Sequence, residues 1–195
     1  MRLRQFTALL FIATLSGCFW VSSPPDLTTA NAPAELVVIW DQQVAPDRLE
    51  RKAWRTTEHE ALRQLTAALD TSSWQSSSVL PRAHGTRIIL RLESGRVWEI
   101  VMPTGRKPRF GMFDRGDTGR AGSIAYSSAF VQTLTRMIEA QSDGPVDLGK
   151  EHWREIAKGT LTRTRSPAAQ TQIDRYPGFP EVVYHAKSKS FEYAR

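Results

Sequence analysis

The sequence predicts an α+β fold, a single domain in which an antiparallel sheet with a central hairpin packs against two or three helices. Three observations carry that expectation. Apolar residues alternate over 87–102, as Ile88, Leu90 and Leu92 and then Trp98, Ile100 and Met102, the period of two of a half-buried hairpin. Helical spacing governs Phe130, Val131, Leu134, Met137 and Ile138. The order of elements reads strand, helix, hairpin, helix, then a further helix and strands, with no internal repeat.

Each element has its own signal. Residues 36–40, Leu-Val-Val-Ile-Trp, are apolar and β-branched and predict the first strand. Pro46 and Asp47 open a long helical pattern in which Leu49, Ala53, Ala61, Leu62, Leu65 and Leu69 share a side. Arg51, Arg55, Glu58 and Arg63 fall elsewhere on it. Residues 74–81 form a Ser-rich connection with room for an edge strand. In the hairpin, register selects the turn. A two-residue loop at Ser94 and Gly95 sets Leu90 opposite Glu99 and mixes the faces. The three-residue loop Glu93, Ser94, Gly95, with Gly95 left-handed, puts all six apolar residues on one face.

Residues 109–113 predict another short strand, and 114–123 a Gly-rich loop. Ser127 or Ser128 supplies the cap of the next helix. Residues 151–158 predict a shorter helix with Trp153, Ile156 and Ala157 on one side, and 181–193 two final strands.

A chain of 195 residues, 41% hydrophobic and 24% charged, suits one globular domain with a proper core. The formal charge is +6, and removal of Arg2 and Arg4 with an N-terminal signal leaves 24 basic against 20 acidic residues, or +4. Basic residues dominate 82–120, nine to four, and 150–195, nine to five, whereas 18–81 holds five basic and eight acidic. Such a divided surface suits an anionic partner, and a solvated basic face is its plainer meaning. Nucleic acid is not expected: the charge is modest and no recognition module is present.

The N-terminus specifies an address. Arg2 and Arg4 precede an almost entirely apolar run, 6–15, the charged and hydrophobic regions of a secretory signal too short to span a bilayer. Leu15-Ser16-Gly17-Cys18 follows at once. Here the chain resembles bacterial lipoproteins, whose lipobox has Leu, a small residue, Gly or Ala, and then Cys. The resemblance covers the first eighteen residues and implies that Cys18 is lipidated, the signal is cut before it, and the chain is exported. In that family an Asp after the Cys retains the protein at the inner membrane, so Phe19 implies the outer membrane of a diderm cell, facing the periplasm.

The resulting organisation is a signal over 1–17, a lipidated Cys and flexible Ser-, Thr-, Pro- and Ala-rich tether over 18–34, and an α+β domain over 35–195. Cys18 is the single cysteine, so its use as an anchor leaves the domain no disulfide, thiolate nucleophile or cysteine metal site. Trp20 sits beside the lipid, where an indole suits the membrane interface. Trp40, Trp98 and Trp153 fall on apolar faces and predict core; Trp54 and Trp74 fit either core or a binding surface.

Catalytic signatures are scarce. Gly116, Gly119 and Gly122 in the loop could cradle phosphate, but no Gly-Lys-Ser or Gly-Lys-Thr follows, and neither dinucleotide nor calcium-loop spacing is met. His59, His84, His152 and His185 show no paired metal spacing, so neither metal nor cofactor is expected. Glu58-His59-Glu60 is half of a zinc motif with Arg63 where the second His belongs, and reads as a solvated patch. The expected function is therefore a non-catalytic envelope lipoprotein, an assembly factor, inhibitor or immunity protein, or ligand-binding module. Its partner would be an envelope protein or anionic envelope polymer, met through Arg106, Lys107, Arg109, Arg115 and Arg120. The alternative is a small envelope hydrolase using His59 or His84 with Asp114 or Asp117, which requires those groups to converge in one cleft.

Overall fold

A computed structural model describes residues 23–27, 31–77, 85–103, 108–116, 120–142, 144–150, 152–176, 181–185 and 190–194. Its strands are β1 (Pro33–Ala45), β2 (Arg48–Thr56), β3 (Gln75–Ser76), β4 (Arg87–Leu92), β5 (Val97–Val101), β6 (Arg109–Asp114), β7 (Ala121–Ala125), β8 (Thr162–Arg165), β9 (Glu181–His185) and β10 (Ser190–Ala194). The helices are α1 (His59–Ala67), α2 (Ser128–Glu139), α3 (Trp153–Ala157) and α4 (Pro167–Arg175). Eight strands form one sheet in the order β3-β7-β6-β5-β4-β1-β2-β8, and β9 and β10 pair separately. The class is the α+β expected. The sheet is larger than a central hairpin with companions, and it is mixed, because β8 runs parallel to β2.

The hairpin forms in the anticipated register. Leu90 pairs with Trp98 and Ile88 with Ile100, and the turn closes with Leu92 N–H on the Arg96 carbonyl at 2.9 Å. Gly95 takes φ 83°, the left-handed conformation a three-residue loop needs. All six alternating apolar residues join the main core, with Leu36, Val38 and Trp40 of β1 and Phe110, Met112 and Ile124. Leu62 and Leu65 of α1 and Phe130, Leu134 and Ile138 of α2 cover this face. Each such side chain withdrawn from water contributes roughly 1.5–3 kcal/mol before entropy is charged against it. Ser127 caps α2 through its hydroxyl, which accepts the Phe130 N–H at 3.1 Å.

Several segments differ from expectation. The helix read from Pro46 through Leu69 begins only at His59, and its first half is β2. Leu49, Arg51 and Ala53 alternate towards the second face of the sheet, opposite Gln43, Asp41 and Ile39. Arg51 is buried there against Asp41, and a buried arginine hides a period of two. The Gly-rich loop is shorter than its composition suggests, since 121–125 form β7. Gly122 lies directly beneath Trp74 and the Gln75 carbonyl. Trp54 and Trp74 both serve the core, Trp54 donating to the Gln141 side chain at 2.9 Å. Trp20 and the Trp153 side chain lie outside the described residues.

The N-terminal connection is not wholly a tether. Within 23–27, Pro25 is buried and Leu27 packs against the main core.

Candidate functional site

The second face of the sheet carries charge. Residues 35, 37, 39 and 41 of β1 point away from the main core, and so do their partners on β2, β4 and β5. Its apolar part is small: Val37, Ile39, Ile89 and Tyr176, with Ala53, Val97 and Ile173 against them. Ile173 packs α4 against this cluster, with Tyr176 just past its end, and the helix starts at Ser166, which caps it through Ala169 N–H at 3.1 Å, with Pro167 presetting its first turn. Its C-terminal end then delivers Arg175 and Tyr176 to the sheet.

Glu35 is the focus. Its side chain is 0% exposed, and Arg55, Arg91 at 2.9 Å, Arg175 at 2.5 Å and the Tyr176 hydroxyl at 2.7 Å all donate to its two oxygens. The three guanidinium-bearing side chains remain 44%, 34% and 40% exposed. Burial alone would raise the Glu35 pKa. The hydrogen bonds from Arg55, Arg91 and Tyr176 and the charge of Arg175 outweigh it and hold the carboxyl at about 2. Burial, reinforced by Glu35, raises the Tyr176 phenol, which stays protonated and able to donate.

Two further carboxylates repeat the arrangement. Asp41 accepts from Arg51 at 3.0 Å and Arg163 at 2.7 Å; Glu99 accepts from Arg87 at 2.8 Å and Arg115 at 2.7 Å. Burial raises the Asp41 pKa, and the two arginines more than reverse it. Around Glu35, Asp41 and Glu99 stand seven guanidinium groups, an excess of four positive charges. The arginines of this face are thus ordered by carboxylates and left net cationic.

Beside Asp41 lies a cleft of about 210 Å³, lined by Gln42, Gln43, Pro145, Val146, Asp147, Lys150 and His152. The Gln42 amide fixes one wall by donating to the Pro145 carbonyl at 3.0 Å. His152 is buried, and its pKa is lowered by desolvation first and Lys150 second, against the opposite pull of Asp41, Glu155 and Asp147. The folded value lies below the ordinary 6.5, so the unfolded chain binds more protons. The contribution of neutral His152 is present above that value and lost as pH falls through it. We expect His152→Gln to flatten the fall in urea-unfolding midpoint below about pH 6.5. Parallel pH profiles for the two chains would assign that limb to other groups.

Among the described residues, those singled out by sequence do not share one cleft. Cys18, His84, Arg106, Lys107 and Asp117 lie outside the described residues. His59 is exposed at the start of α1. Asp114 is buried, ion-paired with Arg96 and accepting the Gly116 N–H at 2.9 Å. No hydrogen bond or ion pair joins His59 to Asp114. Arg109 turns inward, donating to Ser123 Oγ and to the Ser73 and Ser123 carbonyls at 2.9, 2.6 and 3.0 Å. Arg115 serves Glu99, and Arg120 is half-buried. Among the described residues, no group of three His, Cys, Asp or Glu side chains could hold a metal ion.

The residues that do converge, Glu35, Arg55, Arg91, Arg175 and Tyr176, are spread over 141 positions and form no motif. One signal was available: Glu35 opens a strongly apolar strand on an inward position, where a carboxylate demands partners. No helix of the described residues is long and apolar enough to cross a membrane. No protein-family model matches the chain, and it is similar to no curated protein and no solved structure.

Proposed function

We propose that this chain is a membrane-anchored periplasmic lipoprotein, lipidated at Cys18, with a non-catalytic binding or accessory role in the cell envelope. Its partner is an envelope protein or an anionic envelope polymer. One observation carries the non-catalytic reading. The four buried carboxylates among the described residues, Glu35, Asp41, Glu99 and Asp114, are all ion-paired with arginine. The arginines around Glu35 and Asp41 hold those carboxyls below the ordinary carboxylate range, and an acid fixed in this way serves architecture rather than proton transfer. The net cationic second face of the sheet supports an anionic partner.

A small hydrolase is the second reading, and the cleft is what favours it: there a buried, neutral-leaning His152 shares a cavity with Asp41 and Asp147. Activity in the wild type that disappears in His152→Gln with an unchanged unfolding midpoint would establish that reading.

The anchor is tested by Cys18→Ser. The variant is expected to leave the membrane fraction while its unfolding free energy stays within about 0.5 kcal/mol of wild type, as for a change away from packed structure. Retention with membrane after a high-salt wash would defeat the lipoprotein reading. Crosslinking in cells, with identification of what is captured, then reads the partner class.

A further inference from the structure

We propose that the edge of β1 at Asp41 and Gln43 is a peptide-docking site, which takes an extended segment of a protein partner as an added strand. The inference rests on the binding role proposed above and narrows the partner to a protein.

The register shows where the backbone of β1 points. The Asp47 and Arg51 carbonyls accept the Thr162 and Ser166 N–H groups, both at 2.9 Å, so the odd-numbered residues of β2 turn their backbone towards β8. In an antiparallel ladder, two opposite residues either exchange their backbone hydrogen bonds or both turn them away. Asp41 stands opposite Arg51 and Gln43 opposite Leu49, so both direct N–H and C=O away from β2. On that side the neighbour of β1 is β4. The ladder with β4 ends at the pair Ile39 and Arg87, and the chain leading into β4 bends at Gly85. Beyond that pair, the outward backbone groups of Asp41 and Gln43 have no hydrogen-bond partner among the described residues.

The cleft of about 210 Å³ opens against this edge, lined by Asp41, Gln42 and Gln43 and by the chain from Pro145 to His152. His152 is 5% exposed, and its imidazole has no hydrogen-bond partner among the described residues, so a second buried polar group lines the same space. Charge does not select the occupant, because Lys150 and Asp147 both line the cleft and Asp41 is already held by Arg51 and Arg163. Backbone geometry does. Two N–H and C=O pairs stand one strand repeat apart, about 7 Å, on a strand fixed by β2. An ion would meet the donors and leave both carbonyls unpaired. A second extended backbone matches the alternation and forms up to about four hydrogen bonds with it. The register shift after Gln43 ends the regular edge there, so the added strand makes a short contact.

The test selects a phage-displayed library of random octapeptides against the full chain in detergent, and the tightest binder is synthesised. Strand addition turns alternate peptide N–H groups towards β1. N-methylation in one alternating frame should therefore abolish binding, while the other frame is tolerated. Gln43→Pro deletes the outward N–H and spares the β1–β2 ladder, in which that N–H takes no part. It should weaken the peptide about fivefold, the worth of one hydrogen bond, and Gln43→Ala, which keeps the N–H, should lose much less. The N-methyl scan uses the wild-type chain and decides alone should the proline variant unfold. Equal effects of the two frames, or a library without binders, would overturn the proposal. Binders indifferent to Gln43→Pro would overturn it too, yet they would leave a binding role elsewhere on the chain, which separates this failure from failure of the proposed function.

Discussion

Glu35→Ala should be the most damaging single substitution at the charged face, lowering stability by about 2–4 kcal/mol in urea denaturation at neutral pH. Removing one partner of a buried ion pair costs about 3–5 kcal/mol, and the lower range reflects three arginines exposed enough to rehydrate in part. Tyr176, buried with its hydroxyl on Glu35, also loses its acceptor. Glu35→Gln keeps the volume and loses the charge, and should fall between wild type and alanine. The pH dependence provides an independent check. The folded pKa of about 2 lies below the ordinary 4.5, so the stabilisation is complete above about 4.5 and drains away as pH falls towards 2. Wild type should therefore lose stability across that window more steeply than Glu35→Gln. A loss below about 1 kcal/mol for Glu35→Ala, with unchanged acid profiles, would show that the arginines are held without it.

Gly122→Ala should be the most damaging small change in the sheet, at about 1–3 kcal/mol. A Cβ there would collide with the Trp74 ring and stand 2.6 Å from the Gln75 carbonyl, inside any permitted contact. Trp74 rests edge-on against Trp98 at 5.9 Å and cannot retreat without disturbing the centre of the core. The two-residue strand β3 is paired to β7 at Gly122 and Ser123, so relief must come from detaching the sheet edge. Tryptophan fluorescence should report the displaced Trp74 as the urea midpoint falls. Gly149→Ala is the control: its Cβ would meet only Asp147 Oδ1, at an ordinary 3.7 Å, and the midpoint should not move. Equal behaviour of the two variants would mean that the sheet edge yields at no cost.

How much of this was legible in the chain depends on which residues are buried. The β4–β5 hairpin could be read to its register because Ile88, Leu90, Leu92, Trp98, Ile100 and Met102 are apolar, buried, and joined by a turn only Gly95 fits comfortably. α2 announced itself through Ser127 and its stripe. β2 could not be read the same way, because its inward positions include Arg51 and it borders an α1 of true helical period. β8 was equally silent, with no buried residue among Thr162–Arg165, and it is held through Asp41 and the backbone of β2. α4 did carry a legible start in Ser166-Pro167. The charged face stayed hidden for a simpler reason: hydropathy counts a buried arginine as surface, and the partners of Glu35, 20 to 141 positions away, leave no local pattern.

The distance between Glu35 and its last partners sets an order for folding. Glu35 lies at the start of the central strand, yet Arg175 and Tyr176 follow it by 140 and 141 residues. A chain emerging amino end first can close the local β1–β2 hairpin early, but the pairing of β1 with β4 must wait for residues some 50 positions later. α4, with the last two partners of Glu35, arrives after every strand of the main sheet. Such non-local closure slows folding, since loop entropy is spent before the contacts that offset it are made. During that interval Glu35 has Arg55 and then Arg91 but still lacks Arg175 and the Tyr176 hydroxyl.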